Sequence, residues 1–132
     1  MIAGGAKGMN VSLTDCEVIV MKSVWEAESD VALREVVQRA NQKLDRPWKP
    51  QTVSTFLARL VRKGFLEMYR NGRMFFYEPL IGELEYGKGE IVACANMWQN
   101  NDPCVYLDAI IKKRALRPEE IQNLRKIIEE EG

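Results

Sequence analysis

The chain has 132 residues, 46% of them hydrophobic and 29% charged, with 19 basic side chains, 19 acidic ones and no histidine. That length suits one globular domain or a small domain with an assembly appendage, and the apolar content excludes wholesale disorder. The missing histidine removes imidazole acid–base catalysis and imidazole–metal sites, and no run approaches the roughly 18 apolar residues of a membrane span.

No basic and apolar leader series opens the chain, so a cytoplasmic protein is expected. Three cysteines, Cys16, Cys94 and Cys104, lack CxxC or CxC spacing. They read as reduced thiols rather than a disulfide framework or a zinc site, with thiol or metal sensing through Cys94 and Cys104 as a rival reading. Nothing in the sequence implies a cofactor or a metal.

The formal charge of zero conceals a split. Residues 1–79 carry 12 Lys/Arg against 9 Asp/Glu, a balance of +3, and residues 80–132 carry 7 against 10, a balance of −3. Between Lys43 and Arg73 eight bases face only Asp45 and Glu67, a local +6. Such a segment fits a polyanion-facing surface, and a solvated charged face is the bland alternative.

Residues 1–10 are Gly-rich and aperiodic, and are read as a flexible arm outside the fold. Thr14 and Glu17 form a capping-box pattern that opens a helix lasting to about Ala27, with Val18, Met21, Val24 and Trp25 on one face. Asp30 is placed to cap a second helix, whose apolar stripe is Leu33, Val36, Val37, Ala40 and Leu44. Arg46-Pro47-Trp48-Lys49-Pro50 connects it to a third helix that starts at Pro50 and stops at Gly64. Val53, Phe56, Leu57, Leu60 and Val61 are the apolar stripe of this helix. Gln51, Thr52, Ser54, Thr55, Ala58, Arg59 and Arg62 occupy its polar face.

Phe65–Tyr69 and Met74–Glu78 read as two strands joined by Arg70-Asn71-Gly72-Arg73, with Asn-Gly as the hairpin signal. Three helices followed by a basic hairpin describe a winged helix-turn-helix. Beyond Pro79 the helical period returns. Leu84, Ile91, Ala95 and Trp98 make a narrow seam, and Gly82, Gly87 and Gly89 are expected to loosen its first turns. Asp102-Pro103 starts a helix that buries Leu107, Ile110 and Ile111. Pro118-Glu119-Glu120 starts the last, with Ile121, Leu124 and Ile128 inward. Three short helices cannot close a core alone, so an interlocked homodimer is expected. The fold class is therefore mostly α with a small β-hairpin: a winged helix over 11–80 and a three-helix dimerisation module over 81–132.

The segments LTDCEVIVMKSVW (13–25), WKPQTVSTFLARLVRKGFL (48–66), GRMFFYEPL (72–80) and RPEEIQNLRKIIEE (117–130) resemble the penicillinase-repressor (BlaI/MecI/CopY) family of bacterial transcription regulators. The resemblance implies a homodimer that occupies a dyad-symmetric operator on double-stranded DNA and blocks transcription. By matching position it implies Thr52, Thr55 and Arg59 as groove-facing residues, Gln51 and Ser54 beside them, and Arg73 as the wing arginine. The charge pattern adds Lys49, Arg62, Lys63, Arg70 and Arg73 as phosphate contacts. An unidentified inducer or inactivating protease would complete the partners, with no membrane involved.

Four departures from the family pattern are visible. The β-lactam-responsive members are cleaved at an Asn-Phe bond, but no such dipeptide exists here and Asp108-Ala109 takes its place. The CxC pairs of the copper-responsive branch are absent. Lys49 stands where a polar cap is common, and Gln51 where a basic residue is frequent. A winged-helix adaptor that binds protein rather than DNA is the rival from another class. It would carry an apolar or acidic third-helix face.

Overall fold

The computed structural model describes residues 12–97 and 102–131. Six helices and three short strands follow in the order α1 (Asp15–Trp25), β1 (Val31–Ala32), α2 (Leu33–Asn41), α3 (Pro50–Lys63), β2 (Leu66–Asn71), β3 (Met74–Pro79), α4 (Glu83–Met97), α5 (Pro103–Lys113) and α6 (Pro118–Glu131). The sheet is antiparallel in the order β1-β3-β2. Three helices backed by a winged sheet confirm the fold class expected from the pattern. The expected arm at 1–10 and the seam residue Trp98 lie outside the described residues. Two compact units are resolved, the first ending at Ala93 and the second beginning at Cys94.

In the first unit, α1 begins with both halves of its capping box formed: Glu17 N–H donates to Thr14 Oγ1, and Thr14 N–H donates to Glu17 Oε1. Its buried face is Glu17, Val20, Met21, Ser23 and Val24. The core stripe is thus turned from the Val18–Trp25 line expected from the sequence. Trp25 remains half-buried and donates its indole N–H to the Ile81 carbonyl at 2.9 Å.

Asp30 does not cap α2. Its carboxylate accepts the Tyr69 hydroxyl, and Ala32 stands at the cap without a side-chain bond. The reason is β1, two residues that pair Val31 with Tyr77 and Ala32 with Phe76 and so draw this segment into the sheet. The second helix ends at Asn41 rather than Leu44. There the Asn41 side chain turns out to bracket the Trp48 backbone, accepting its N–H at 2.9 Å and donating to its carbonyl at 3.3 Å. That bracket sets the turn into α3.

The third helix follows its pattern closely. Pro50 occupies the first turn, and Gly64 ends it in the left-handed region at φ 87, where a side chain would be strained. Val53, Leu57 and Leu60 are fully buried, with Phe56 and Val61 packed at the margin. In the hairpin Asn71 pairs with Met74, leaving Gly72-Arg73 as a two-residue loop with φ 70 at Gly72. The tip lies one residue later than Asn-Gly suggested, with glycine in the first loop position that such loops favour.

The fourth helix runs unbroken through Gly87 and Gly89. Tyr86 is the cause. Its ring packs 5.4 Å from Phe65 and 6.1 Å from Trp25, and its hydroxyl accepts the Leu13 N–H at 2.9 Å. The glycines therefore flank a buried anchor. Lys22 and Glu83 add an ion pair at the start of the same helix.

In the second unit, Asp102 caps α5 by accepting the Cys104 N–H, as its Asp-Pro start predicts. At the head of α6, Glu120 accepts the Arg117 N–H and pairs with the Arg114 and Arg117 guanidiniums. Arg117, then Arg114, hold its carboxyl far below the ordinary carboxylate range. Between α5 and α6 lies an apolar groove lined by Leu107, Ile110, Ile111, Leu116, Leu124 and Ile127 among others. Ile127, not Ile128, turns toward α5. Of the residues expected inward on this helix, Leu124 lines the groove, while Ile121, 38% exposed, and Ile128, 61% exposed, are not part of its lining.

Candidate nucleic-acid interface

The polar face of α3 is set by what its other side must bury. With Val53, Leu57 and Leu60 inward, the opposite line is Gln51, Thr55, Ala58 and Arg62, all exposed. This line runs i, i+4, i+7, i+11 and is one helical stripe. It is rotated by about 60° from the Thr52–Thr55–Arg59 line taken from the resemblance. Thr52, Ser54 and Arg59 lie half-buried on its flanks. Thr55 Oγ1 donates to the Gln51 carbonyl at 3.0 Å, which pins its rotamer.

Arg59 and Lys63 share the flank that meets α1. Lys63 Nζ stands 2.6 Å from Glu17 Oε1, and Arg59 Nη1 stands 3.8 Å from Glu17 Oε2. Arg59 also lies over the Phe56 ring, 5.3 Å from its centroid, and Trp48 packs on the same ring at 5.1 Å. The tryptophan thus anchors the connector to α3. Burial pushes the Glu17 carboxyl up, but the Lys63 hydrogen bond, the Thr14 cap and the Lys63 charge outweigh it and leave its pKa below the ordinary value. A carboxyl lowered in this way stabilises the fold above the ordinary carboxylate range, and the contribution fades as pH falls through the folded value.

The remaining cations are differently placed. Lys49 sits exposed at the cap of α3, and because its ammonium can only donate, no cap side chain accepts from the first-turn N–H groups. Arg62 and Arg73 are exposed and have no ion-pair partner among the described residues, with Arg73 at the wing tip. Arg70 is steadied by the Gly72 carbonyl at 3.0 Å and by the Phe75 ring. The structure therefore brings Gln51, Thr55 and Arg62 onto one outward line and sets Arg59 and Lys63 apart from it. Glu17 is a residue that the sequence reading of the site misses. Its spacing with Val20, Met21 and Val24 was the available signal, since i, i+3, i+4, i+7 puts a carboxylate on the core-facing line.

The sequence profile of the penicillinase repressor family matches residues 13–130. The chain belongs to the penicillinase repressor family. The penicillinase repressor of Bacillus licheniformis is 31% identical over 118 residues, covering 89% of this chain and 90% of that one. The methicillin resistance regulatory protein MecI of Mammaliicoccus sciuri is 23% identical over 117 residues, covering 88% and 92%. Among solved structures, the Bacillus licheniformis BlaI monomeric form in complex with the blaP half-operator shares 36% identity. It covers 58% of this chain and 89% of that chain, with a TM-score of 0.48. The family is one of transcriptional repressors rather than enzymes, and the resemblance read from the sequence is thereby established. No helix among the described residues is long and apolar enough to cross a membrane.

The residues of the expected dimerisation seam are largely exposed in the single chain. Leu84 is 72% exposed, Ile91 67%, Ile110 58% and Ile128 61%, with Leu107 and Ile121 exposed to a smaller degree. Ala95, Ile111 and Leu124 are half-buried. All three cysteines are free thiols, Cys16 half-buried and Cys94 and Cys104 exposed.

Proposed function

We propose that this protein is a homodimeric transcriptional repressor that binds a pseudo-palindromic operator. Each chain lays α3 in a major groove and rests its wing on the flanking backbone. The observation that carries this reading is the outward line Gln51–Thr55–Ala58–Arg62, flanked by the exposed cations Lys49 and Arg73. Glutamine can engage adenine and arginine can engage guanine through paired hydrogen bonds, while the Thr55 and Ala58 methyls suit thymine methyl groups. Thr52, Ser54 and Arg59 lie beside that line, and Lys49, Arg70 and Arg73 face phosphates, which give affinity without sequence information.

Residues 11–80 supply the reader and 81–132 the dimer contacts in this account. The exposed apolar side chains of α4, α5 and α6 would be removed from water by a second copy. Dimerisation fixes the half-sites a whole number of turns apart, about 10 bp per turn. A regulator of promoter DNA works in the cytoplasm, and induction requires an inducer or protease that loosens the dimer. With Asp108-Ala109 in place of Asn-Phe, a protease would need a different bond.

Selection of bound sequences from a random duplex library tests the reading. Enrichment of a two-fold symmetric motif is expected. Retention without enrichment contradicts sequence-specific repression, and no retention even at low salt favours a protein-binding adaptor. Arg73→Ala should weaken binding to all sequences alike and lower the slope of log K against log salt by about one. An unchanged slope takes Arg73 off the backbone.

A further inference from the structure

Glu17 takes no part in the DNA reading proposed above, and its placement is unusual. It lies on the inward face of α1 with no exposed surface, where a carboxylate needs compensation. Oε1 receives the Lys63 ammonium at 2.6 Å and the Thr14 N–H at 2.9 Å. Oε2 has no hydrogen-bond partner among the described residues and looks toward Arg59 Nη1 at 3.8 Å. Both cations come from α3, from the flank adjoining its outward line. One buried anion therefore hydrogen-bonds Lys63 and lies within ion-pair distance of Arg59, whose side chain is 41% exposed, and of the three basic side chains in the second half of that helix only Arg62 is not paired with it.

We infer that Glu17 is a positioning residue that sets specificity: it withholds the charge of Lys63 from DNA and restrains Arg59 against α1 and Phe56, so that phosphate attraction from this part of α3 is confined to Arg62. The inference rests on the DNA-binding reading above. Its physical logic is that a phosphate-seeking cation strengthens binding to every sequence equally. A regulator needs instead a high ratio of specific to non-specific binding, and a buried carboxylate that neutralises surplus cations beside the reading line protects that ratio. The capping box serves the same end, because it fixes the carboxylate from the α1 side. Lys63 and Arg59 are then aligned without the reading line itself being touched.

The test is the salt dependence of binding to a short duplex of random sequence, followed by fluorescence anisotropy with the full chain. It compares the parent with E17Q, R62Q and the double variant E17Q/K63Q, in which two near-isosteric neutral side chains replace the ion pair. The parent should bind at low salt. On a random duplex Arg62 has no cognate guanine to engage and acts on phosphate, so R62Q should lower the slope of log K against log salt by about 0.9, the loss of one phosphate contact. E17Q should steepen it by about 0.9 or more as Lys63 is released, with tighter binding to random DNA. E17Q/K63Q should be at least as steep as the parent, since the lysine removed contributed nothing to the slope.

A merely structural Glu17 would alter the folded fraction and leave the slope of the folded protein alone. If E17Q folds and its slope is unchanged, the inference is overturned. If E17Q does not fold, the double variant decides, and a drop of about 0.9 like that of R62Q shows that Lys63 contacts phosphate directly. Failure of the parent itself to bind at the lowest salt would instead strike at the DNA-binding reading.

Discussion

An Ile110→Asp variant is expected to sediment as a monomer and to lose affinity for a two-half-site operator by about a hundred- to ten-thousand-fold. Ile110 is 58% exposed in the single chain and lines the apolar groove between α5 and α6. A carboxylate there would have to be desolvated in a dimer contact, but in the monomer it points to water, so the fold itself should tolerate it. The affinity loss follows from geometry alone. A dimer delivers its second reader at a high effective concentration, and a monomer loses that advantage without any change in its own contacts. The prediction therefore has a built-in control, because binding to a single half-site should be nearly unchanged. A variant that still sediments as a dimer would move the interface off this groove.

Leu57→Ala is expected to destabilise the first unit by about 2–5 kcal/mol. Leu57 has no exposed surface and lies between Val53 and Leu60 on the inward line of α3. Truncation removes transfer free energy and leaves a cavity that the rest of the buried core, Val20, Met21 and Val36 included, can only partly fill. Urea unfolding should show a lower midpoint with an unchanged slope, the mark of lost stability rather than a changed unfolded state. A loss well below 1 kcal/mol would mean that α3 does not bury this line, and with it the outward line would have to be redrawn.

That second prediction marks where the sequence was most legible. The third helix carries a long apolar period, a first-turn proline and a glycine stop, and three agreeing signals over 14 residues leave little room for another structure. The capping box of α1 was equally plain, because both of its hydrogen bonds are local. Features that depend on distant partners were not legible. Two residues of β1 show no alternation to read, and they become a strand only because β3 offers its edge. Asp30 satisfies every local rule for a cap, yet a tyrosine hydroxyl from β2 takes it.

The candidate site divides along the same line. Which residue types line α3 was readable, and so was the face that buries. That Thr52 and Arg59 lie half-buried on a flank while Gln51 and Arg62 stand exposed was not, because it depends on α1 approaching one flank with a buried carboxylate. Lys63 and Arg59 look alike in sequence to Arg62, and only the partner across the helix interface separates them. In the C-terminal helices, the choice between Ile127 and Ile128 as the groove residue differs by a single position. The sequence period there admits both.

The most direct measurement is amide chemical-shift mapping of the protein on the duplex that library selection enriches. The account predicts the largest changes at Gln51, Thr55, Ala58 and Arg62 and at the wing tip Gly72 and Arg73, with Lys63 and the groove of α5 and α6 little affected. Changes concentrated on α2 or on the C-terminal helices, with the outward line of α3 silent, would contradict it.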